Sequence, residues 1–296
     1  ASLAVDLALT EEFDIIHAHD WMTFPAAIAV ARATGKPLVV HVHSTEFDRS
    51  GEHVNQAVYD IERAGIHAAT RIVCVSHLTR NTVVHRYGGD SAKTEVVYNA
   101  VEFPDNNEET LVPIRRNEKI VLFLGRITMQ KGPEYFLQAA KRVIEKVKDV
   151  RFVIAGSGDM ITGCIELAAE LGIGRHVTFT GFLRGDDVEK IFSMADLYVM
   201  PSVSEPFGIA PLEAMRHNVP VLISKQSGVS EVLTHVLKCD FWDIDDMADK
   251  ILAVLRYPPL QKTLTEHTPF ELQKLSWDDS ARQLQELYQQ ILTEGA

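Results

Sequence analysis

At 296 residues the chain is too long for one small domain and suits two of ordinary size. Hydrophobic residues make up 46%, enough for a sizeable core, yet no run reaches the roughly 18 uninterrupted apolar residues of a membrane span. The net charge of −12 repels polyanions, which argues against nucleic acid or an anionic membrane as the main partner. A small phosphate ligand is not excluded, because it needs only a local cluster of basic groups and free backbone N–H donors. The N-terminus, Ala1-Ser2-Leu3-Ala4-Val5-Asp6, has neither the basic nor the long apolar region of a secretory signal. Cys74, Cys164 and Cys239 lie far apart with no CxxC spacing, which points to reduced thiols in a cytoplasmic setting.

Short β-rich runs alternate with helical stretches along the chain. Strands are expected at 14–19, 38–43, 71–75 and 94–98, with helices between them at 25–34, 54–69 and 78–87. Gly35 stops the first helix and Gly88-Gly89 the third. From Glu102 to Glu118 the periodicity disappears and Pro104, Asn106, Asn107, Glu108, Glu109 and Pro113 accumulate, so 104–118 reads as a linker. The alternation then restarts. Strands are expected at 120–124, 151–155, 176–180, 197–200 and 219–224, with helices at 133–146, 161–171, 186–194 and 209–217. A last helix, 278–292, carries Leu284, Leu287 and Ile291 at helical spacing. This β-α-β order predicts an α/β protein with parallel sheets covered by helices, in two halves, 1–103 and 119–276, followed by a C-terminal helix at 277–296. Ligands of such folds bind outside the C-terminal ends of the strands, so the expected site is a cleft between the strand ends of the two sheets.

Two motifs fall at those ends. Gly125-Arg126 directly follows a strand, and Lys131-Gly132-Pro133 opens the next helix. Proline suits a first helical turn, and a helix start favours anions, so the two cations suit a diphosphate. Taken alone, they are equally readable as surface charges beside a turn. Further on, Glu205-Pro206-Phe207-Gly208-Ile209-Ala210-Pro211-Leu212-Glu213 sets one carboxylate on a loop and another on a helix. Dipole compensation accounts for an acid near a helix start but leaves Glu205 unexplained.

Together these motifs resemble those of the retaining glycosyltransferases of the glycogen-synthase and sucrose-synthase type, a family-4-like group with the GT-B fold. Asp14-Ile15-Ile16-His17-Ala18-His19-Asp20-Trp21, Val39-Val40-His41-Val42-His43-Ser44, Val73-Cys74-Val75-Ser76, Val97-Tyr98-Asn99-Ala100-Val101, Ala155-Gly156-Ser157-Gly158-Asp159, Thr180-Gly181-Phe182-Leu183 and Ser227-Gly228-Val229-Ser230-Glu231-Val232 are similar to further family segments and stand in the expected order. Each is weak alone; the shared order is specific.

The resemblance implies a fold of two Rossmann-like domains facing a cleft, the first on the acceptor side and the second binding the nucleotide sugar. It implies that Arg126 and Lys131 hold the donor diphosphate, with Gly125 and Gly156 beside it. Glu205, with Phe207, Gly208 and Ile209, then faces the transferred sugar, Glu213 the ribose hydroxyls, and His43 the sugar from the first domain. Phe182 and Leu183 match a loop beside the nucleobase. It also implies an ADP-, UDP- or GDP-sugar donor, a carbohydrate acceptor such as a glucan, glucose as the transferred sugar, no cofactor and no metal. The final helix resembles one that packs back on the first domain. The family's earlier strands and glycine-rich loop have no counterpart before Asp14, so the first domain is expected to be truncated.

Other readings remain open beside this one. His17-x-His19-Asp20 and His41-x-His43 each put two imidazoles on one strand face, as metallohydrolase sites do, but no later carboxylate or lysine ligands complete such a pattern. For His17, His19 and His41 a structural role, or one of supporting the site residues from behind, is therefore expected rather than ligation. A dinucleotide fingerprint fails, since position 161 is Ile161. A nucleotide-sugar epimerase and a non-catalytic nucleotide-sugar-binding fragment share the fold logic.

Overall fold

The structure, a computed structural model, describes residues 1–102 and 118–294. Residues 104–117 of the expected linker lie outside the described residues. The chain divides into two compact units, one of Ala1–Ala100 with the segment from Leu275 onward, the other of Val101–Lys274.

In the first unit the elements run α1 (Ser2–Ala8), β1 (Ile16–His19), α2 (Phe24–Thr34), β2 (Leu38–Val42), α3 (Glu46–Ser50), α4 (Gln56–Ala68), β3 (Arg71–Cys74), α5 (His77–Tyr87) and β4 (Thr94–Val96). The four strands pair in parallel in the order β1-β2-β3-β4. Side chains alternate across this sheet. Leu38, Val40, Val42, Ile72 and Cys74 pack on Phe24 and Ala27 of α2, Ile66 of α4, and Val83 and Tyr87 of α5. Val39, Val73 and Val97 point to the other face.

The second unit contains β5 (Lys119–Leu124), α6 (Pro133–Lys146), β6 (Val150–Ala155), α7 (Ile161–Glu170), β7 (Val177–Gly181), α8 (Asp186–Met194), β8 (Leu197–Met200), α9 (Ala210–Arg216), β9 (Val221–Ser224), β10 (Leu237–Cys239), α10 (Ile244–Arg256), α11 (Pro258–Glu266) and α12 (Thr268–Gln273). Its sheet runs β10-β9-β8-β5-β6-β7, all parallel. Strand order therefore reverses between β5 and β8, the topological switch point of a doubly wound sheet. Helix α6 shows why the core forms here: Phe136, Leu137, Ala140, Val143 and Ile144 repeat at helical spacing, and all are buried. The Phe136 ring sits 5.7 Å from that of Phe123 and 5.4 Å from that of Phe152. Removing such a ring from a core costs about 3–5 kcal/mol.

Helix α13 (Trp277–Glu294) returns to the first unit. Leu287 and Ile291, with Leu284 and Tyr288, cover Val39, Val73 and Val97 on the sheet face that α2, α4 and α5 leave bare. Arg71 pairs with Glu294, and Ser280 Oγ donates to the Tyr98 carbonyl at 2.8 Å.

Most expected elements appear within two or three residues of their predicted ends. The short helices α1 and α3, and everything from β10 to α12, have no counterpart in the sequence reading. The expected 219–224 strand starts two residues late, at Val221, because Asn218 has a left-handed φ of 57° and Pro220 has no N–H for the ladder.

Candidate functional site

In the second unit, three strand-end loops are stitched together by backbone. Gly125 N–H donates to the Ala155 carbonyl at 3.0 Å, Ile127 N–H to Ser157 at 2.9 Å, and Gly156 N–H to Gly181 at 2.9 Å. The chains approach so closely that a Cβ on Gly156 would lie 1.8 Å from the Gly125 carbonyl oxygen, at a φ of 144°. Gly132 closes the loop after β5 with φ 66°, and a Cβ there would meet the Pro201 carbonyl oxygen at 2.2 Å. Only glycine tolerates both the left-handed backbone and the contact. The loop that follows β8 is fixed in turn. Val203 N–H donates to the Gln130 carbonyl at 2.9 Å, and the Glu205 backbone binds Gln226 and Gly228 at 3.0 and 2.9 Å. The Ser227-Gly228 turn thus serves as a brace for Glu205.

These loops enclose two neighbouring cavities that share Leu124, Gly125 and Arg126. One, of about 260 Å³, is walled by Ala155, Gly156, Ser157, Phe182, Leu183 and Val188 and is largely apolar. Phe182 is 64% exposed at its rim, with the Arg184 guanidinium over its ring at 5.2 Å. The other, of about 210 Å³, lies between the ends of β5 and β8 and receives Lys131, Ser202, Glu205, Gly208 and Ile209. Here the polar groups partner one another. Lys131 Nζ donates to the Glu205 carboxylate, Ser202 Oγ donates to the same oxygen at 3.1 Å, and Arg126 donates to Gln130 Oε1 at 3.1 Å. Glu205 is buried. Tyr198, behind them, donates its hydroxyl to the Leu124 carbonyl at 3.2 Å, and burial holds its phenol well above the usual range.

Gly125, Arg126, Lys131, Glu205, Gly208 and Ile209 therefore meet in one cavity, and Gly156, Phe182 and Leu183 in its neighbour. Two expected residues stand elsewhere. Phe207 is buried and lines neither cavity; its carbonyl accepts from Val229 N–H at 2.8 Å, so it anchors the loop. Glu213, on α9, lines neither cavity, and burial pushes its carboxyl up. The sequence reading missed Gln130 and Ser202, which partner Arg126 and Glu205. Only their positions, next to Lys131 and after β8, hinted at a role.

His43 belongs to the first unit, just past β2. Asp20 holds it: Asp20 Oδ1 accepts from His43 N–H at 2.7 Å and from Ser44 N–H at 3.4 Å. Asp20 itself adopts φ 59°, left-handed backbone that a non-glycine residue keeps only when its surroundings enforce it. The loop beyond is fixed by a buried network that the sequence did not reveal. Arg49 donates to Glu46 at 3.0 Å, to Ser44 Oγ at 2.7 Å, and to Glu62; Tyr87 donates to Glu62, and Glu46 N–H donates to Glu62 at 3.0 Å. Burial pushes the Glu62 carboxyl up, against the opposing pull of Tyr87, the Glu46 N–H and Arg49.

Beside His43 stand His17, His19 and His41. Burial, with the neighbouring imidazoles, drives the His17 pKa down to about 4 and that of His41 to about 2, and lowers that of His43 as well. The nitrogens of His17, His19 and His41 fall within 4.8 Å of one another, the one such group of potential metal ligands among the described residues.

A doubly wound parallel sheet with cations and a carboxylate at its switch point, in a chain that also forms a second parallel-sheet unit, has the parts of a GT-B transferase. Residues 106–269 match the family described as Glycosyl transferases group 1, and residues 1–103 match Glycosyltransferase Family 4. An uncharacterized glycosyltransferase of Methanocaldococcus jannaschii is 31% identical over 94% of this chain and 75% of that protein. The D-inositol 3-phosphate glycosyltransferase of Corynebacterium urealyticum is 28% identical over 95% of this chain and 72% of that one. Among solved structures, Anabaena HepE in complex with UDP and glucose has a TM-score of 0.82 at 19% identity, covering 98% of this chain and 82% of that one. The chain belongs to the group 1 glycosyltransferases and is a transferase enzyme. No helix among the described residues is long and apolar enough to cross a membrane.

Proposed function

We propose that the protein transfers a hexosyl group, glucose in the first instance, from a nucleoside-diphosphate sugar to a carbohydrate acceptor such as a glucan, with retention of anomeric configuration and without a metal at the diphosphate. The observation that carries this reading is the pair of adjoining cavities at the β5/β8 switch point. The apolar one suits a nucleobase stacked on Phe182, and the polar one suits a diphosphate and sugar. Arg126, on their shared wall, spans the two. HepE, which shares the fold, has been crystallised with UDP-glucose.

In this reading Lys131 and Glu205 neutralise each other until the donor arrives. The diphosphate draws the Lys131 ammonium away, and Glu205, still held by Ser202 and the 226–228 turn, is released to accept hydrogen bonds from sugar hydroxyls. When the bond from the anomeric carbon to the β-phosphate oxygen breaks, its electron pair goes to the phosphate. Fixed cations stabilise that developing charge more than the ground state. The acceptor hydroxyl oxygen forms the new bond to the anomeric carbon on the face the diphosphate leaves, and its proton passes to the departing phosphate oxygen, so that charge balances and configuration is retained. Glu213, on α9, is assigned to the ribose hydroxyls. Three buried free thiols fit a reducing, cytoplasmic setting.

Calorimetric titration with ADP, UDP and GDP, without metal, beside Lys131→Ala, tests the proposal. Binding of one nucleotide that the variant loses supports the donor site and identifies the base. Equal binding by both proteins removes Lys131 from it.

A further inference from the structure

The sheet face covered by α13 ends in a group of imidazoles that donor binding in the second unit does not use. In the β1–β2 register His17 lies opposite Val39 and His19 opposite His41, so His17, His19 and His41 crowd one patch of that face. His17 stacks on His19 and on His41, with ring centroids 4.5 and 5.4 Å apart, and His19 and His41 lie tilted to each other at 5.1 Å. Their hydrogen bonds are incomplete. His17 Nδ1 is bonded to the Tyr288 hydroxyl of α13, and His19 Nδ1 to His43 Nε2 at 2.9 Å. His17 Nε2 and both nitrogens of His41 are buried with no hydrogen-bond partner among the described residues, and His41 is only 6% exposed. Buried imidazole nitrogens without partners are unfavourable, and apolar side chains would fill the same strand positions without that cost.

We propose that His17, His19 and His41 form a three-imidazole site for a transition-metal dication of the zinc class. Three neutral nitrogens suit zinc, and the absence of a carboxylate from the set excludes the hard, oxygen-seeking Mg²⁺ and Ca²⁺. The ligand nitrogens lie within 4.8 Å of one another. Tetrahedral zinc, with Zn–N bonds of about 2.0–2.1 Å, draws nitrogens to about 3.4 Å apart, so binding requires the rings to turn out of their stack until their in-plane lone pairs converge on the ion. The site has its outer partner in place. With Nε2 of His17 on the metal, its Nδ1–H donates to the Tyr288 oxygen, which fixes the tautomer. This reverses the structural role expected for these three histidines from sequence. It leaves untouched the reading that transfer needs no metal at the diphosphate, because the donor residues Arg126 and Lys131 belong to the second unit.

The test uses the full chain stripped with chelator, titrated with Zn²⁺ by calorimetry and with Co²⁺ by visible absorption. One equivalent is expected to bind, with the intense d–d bands of four-coordinate cobalt. His19→Ala, an exposed position that keeps the fold, and His41→Val should each weaken Zn²⁺ binding at least tenfold. Tyr288→Phe should weaken it by about tenfold. His235→Ala, at the separate pair of His235 with Glu271, should leave it unchanged. Circular dichroism and thermal unfolding confirm that each variant is folded. Absence of binding, or binding that survives folded His19→Ala, overturns the site. Nucleotide titration of the same samples keeps the two readings apart: loss of Zn²⁺ binding with nucleotide binding intact counts against the metal site alone, and loss of nucleotide binding with Zn²⁺ binding intact counts against the donor site alone.

Discussion

The two units handle polar side chains at their strand ends in opposite ways. In the second, Lys131, Glu205, Ser202, Arg126 and Gln130 satisfy one another around a cavity, so an incoming ligand must exchange partners with them. In the first, Arg49, Glu46, Glu62 and Tyr87 form a closed network, whereas His17 and His41 keep nitrogens without partners. The difference follows from what each group must do. A pair that trades partners with a ligand has to be accessible and reversible, and it sits where the doubly wound sheet opens at the β5/β8 reversal. A network that only shapes a loop can be buried and saturated.

That contrast can be broken most forcefully at Arg49. Arg49→Met leaves Glu46 and Glu62 buried without their cation, and the expected loss is about 3–5 kcal/mol of stability, read from urea unfolding. A loss under about 1 kcal/mol would show that the network only decorates the loop. Next comes Lys131→Ala, expected to lower the transfer rate on the order of a hundredfold, about 2.7 kcal/mol, in single-turnover kinetics with the identified donor. A change within twofold would make the Lys131–Glu205 pair structural, like the network of the first unit. Glu205→Gln should lower transfer by about ten- to a hundredfold while nucleotide affinity hardly moves, because a carboxylate bonded to a sugar hydroxyl is worth about 1.5–3 kcal/mol. Equal losses in both would assign it to bracing the loop. The smallest effect belongs to Phe182→Ala. A stacked base contributes about 0.5–1.5 kcal/mol, so affinity for nucleotide should fall about three- to tenfold. The unfolding midpoint should stay put, since this ring is largely exposed.

Local pattern determined much of this protein. Alternation of β-branched runs with helical periodicity placed nearly all strands from β1 to β9 and most helices between them, because those periods are properties of neighbouring residues. Gly125, Gly156 and Gly132 were legible for the same reason: the loops they occupy are short, and their spacing from Arg126 and Lys131 is local. The bond between Lys131 and Glu205 joins residues 74 apart in sequence, and only the adjacency of β5 and β8 creates it. The same holds for Arg49 with Glu62, for α13 covering Val39, Val73 and Val97 of a sheet made far earlier in the chain, and for Phe207, whose place in an active-site motif gave no sign that its ring turns into the core. Histidines two apart on β1 and on β2 could be read as pairs. That the pairs share one face, with buried nitrogens left unbonded, was decided by the parallel register of the two strands and by the helix that closes over them.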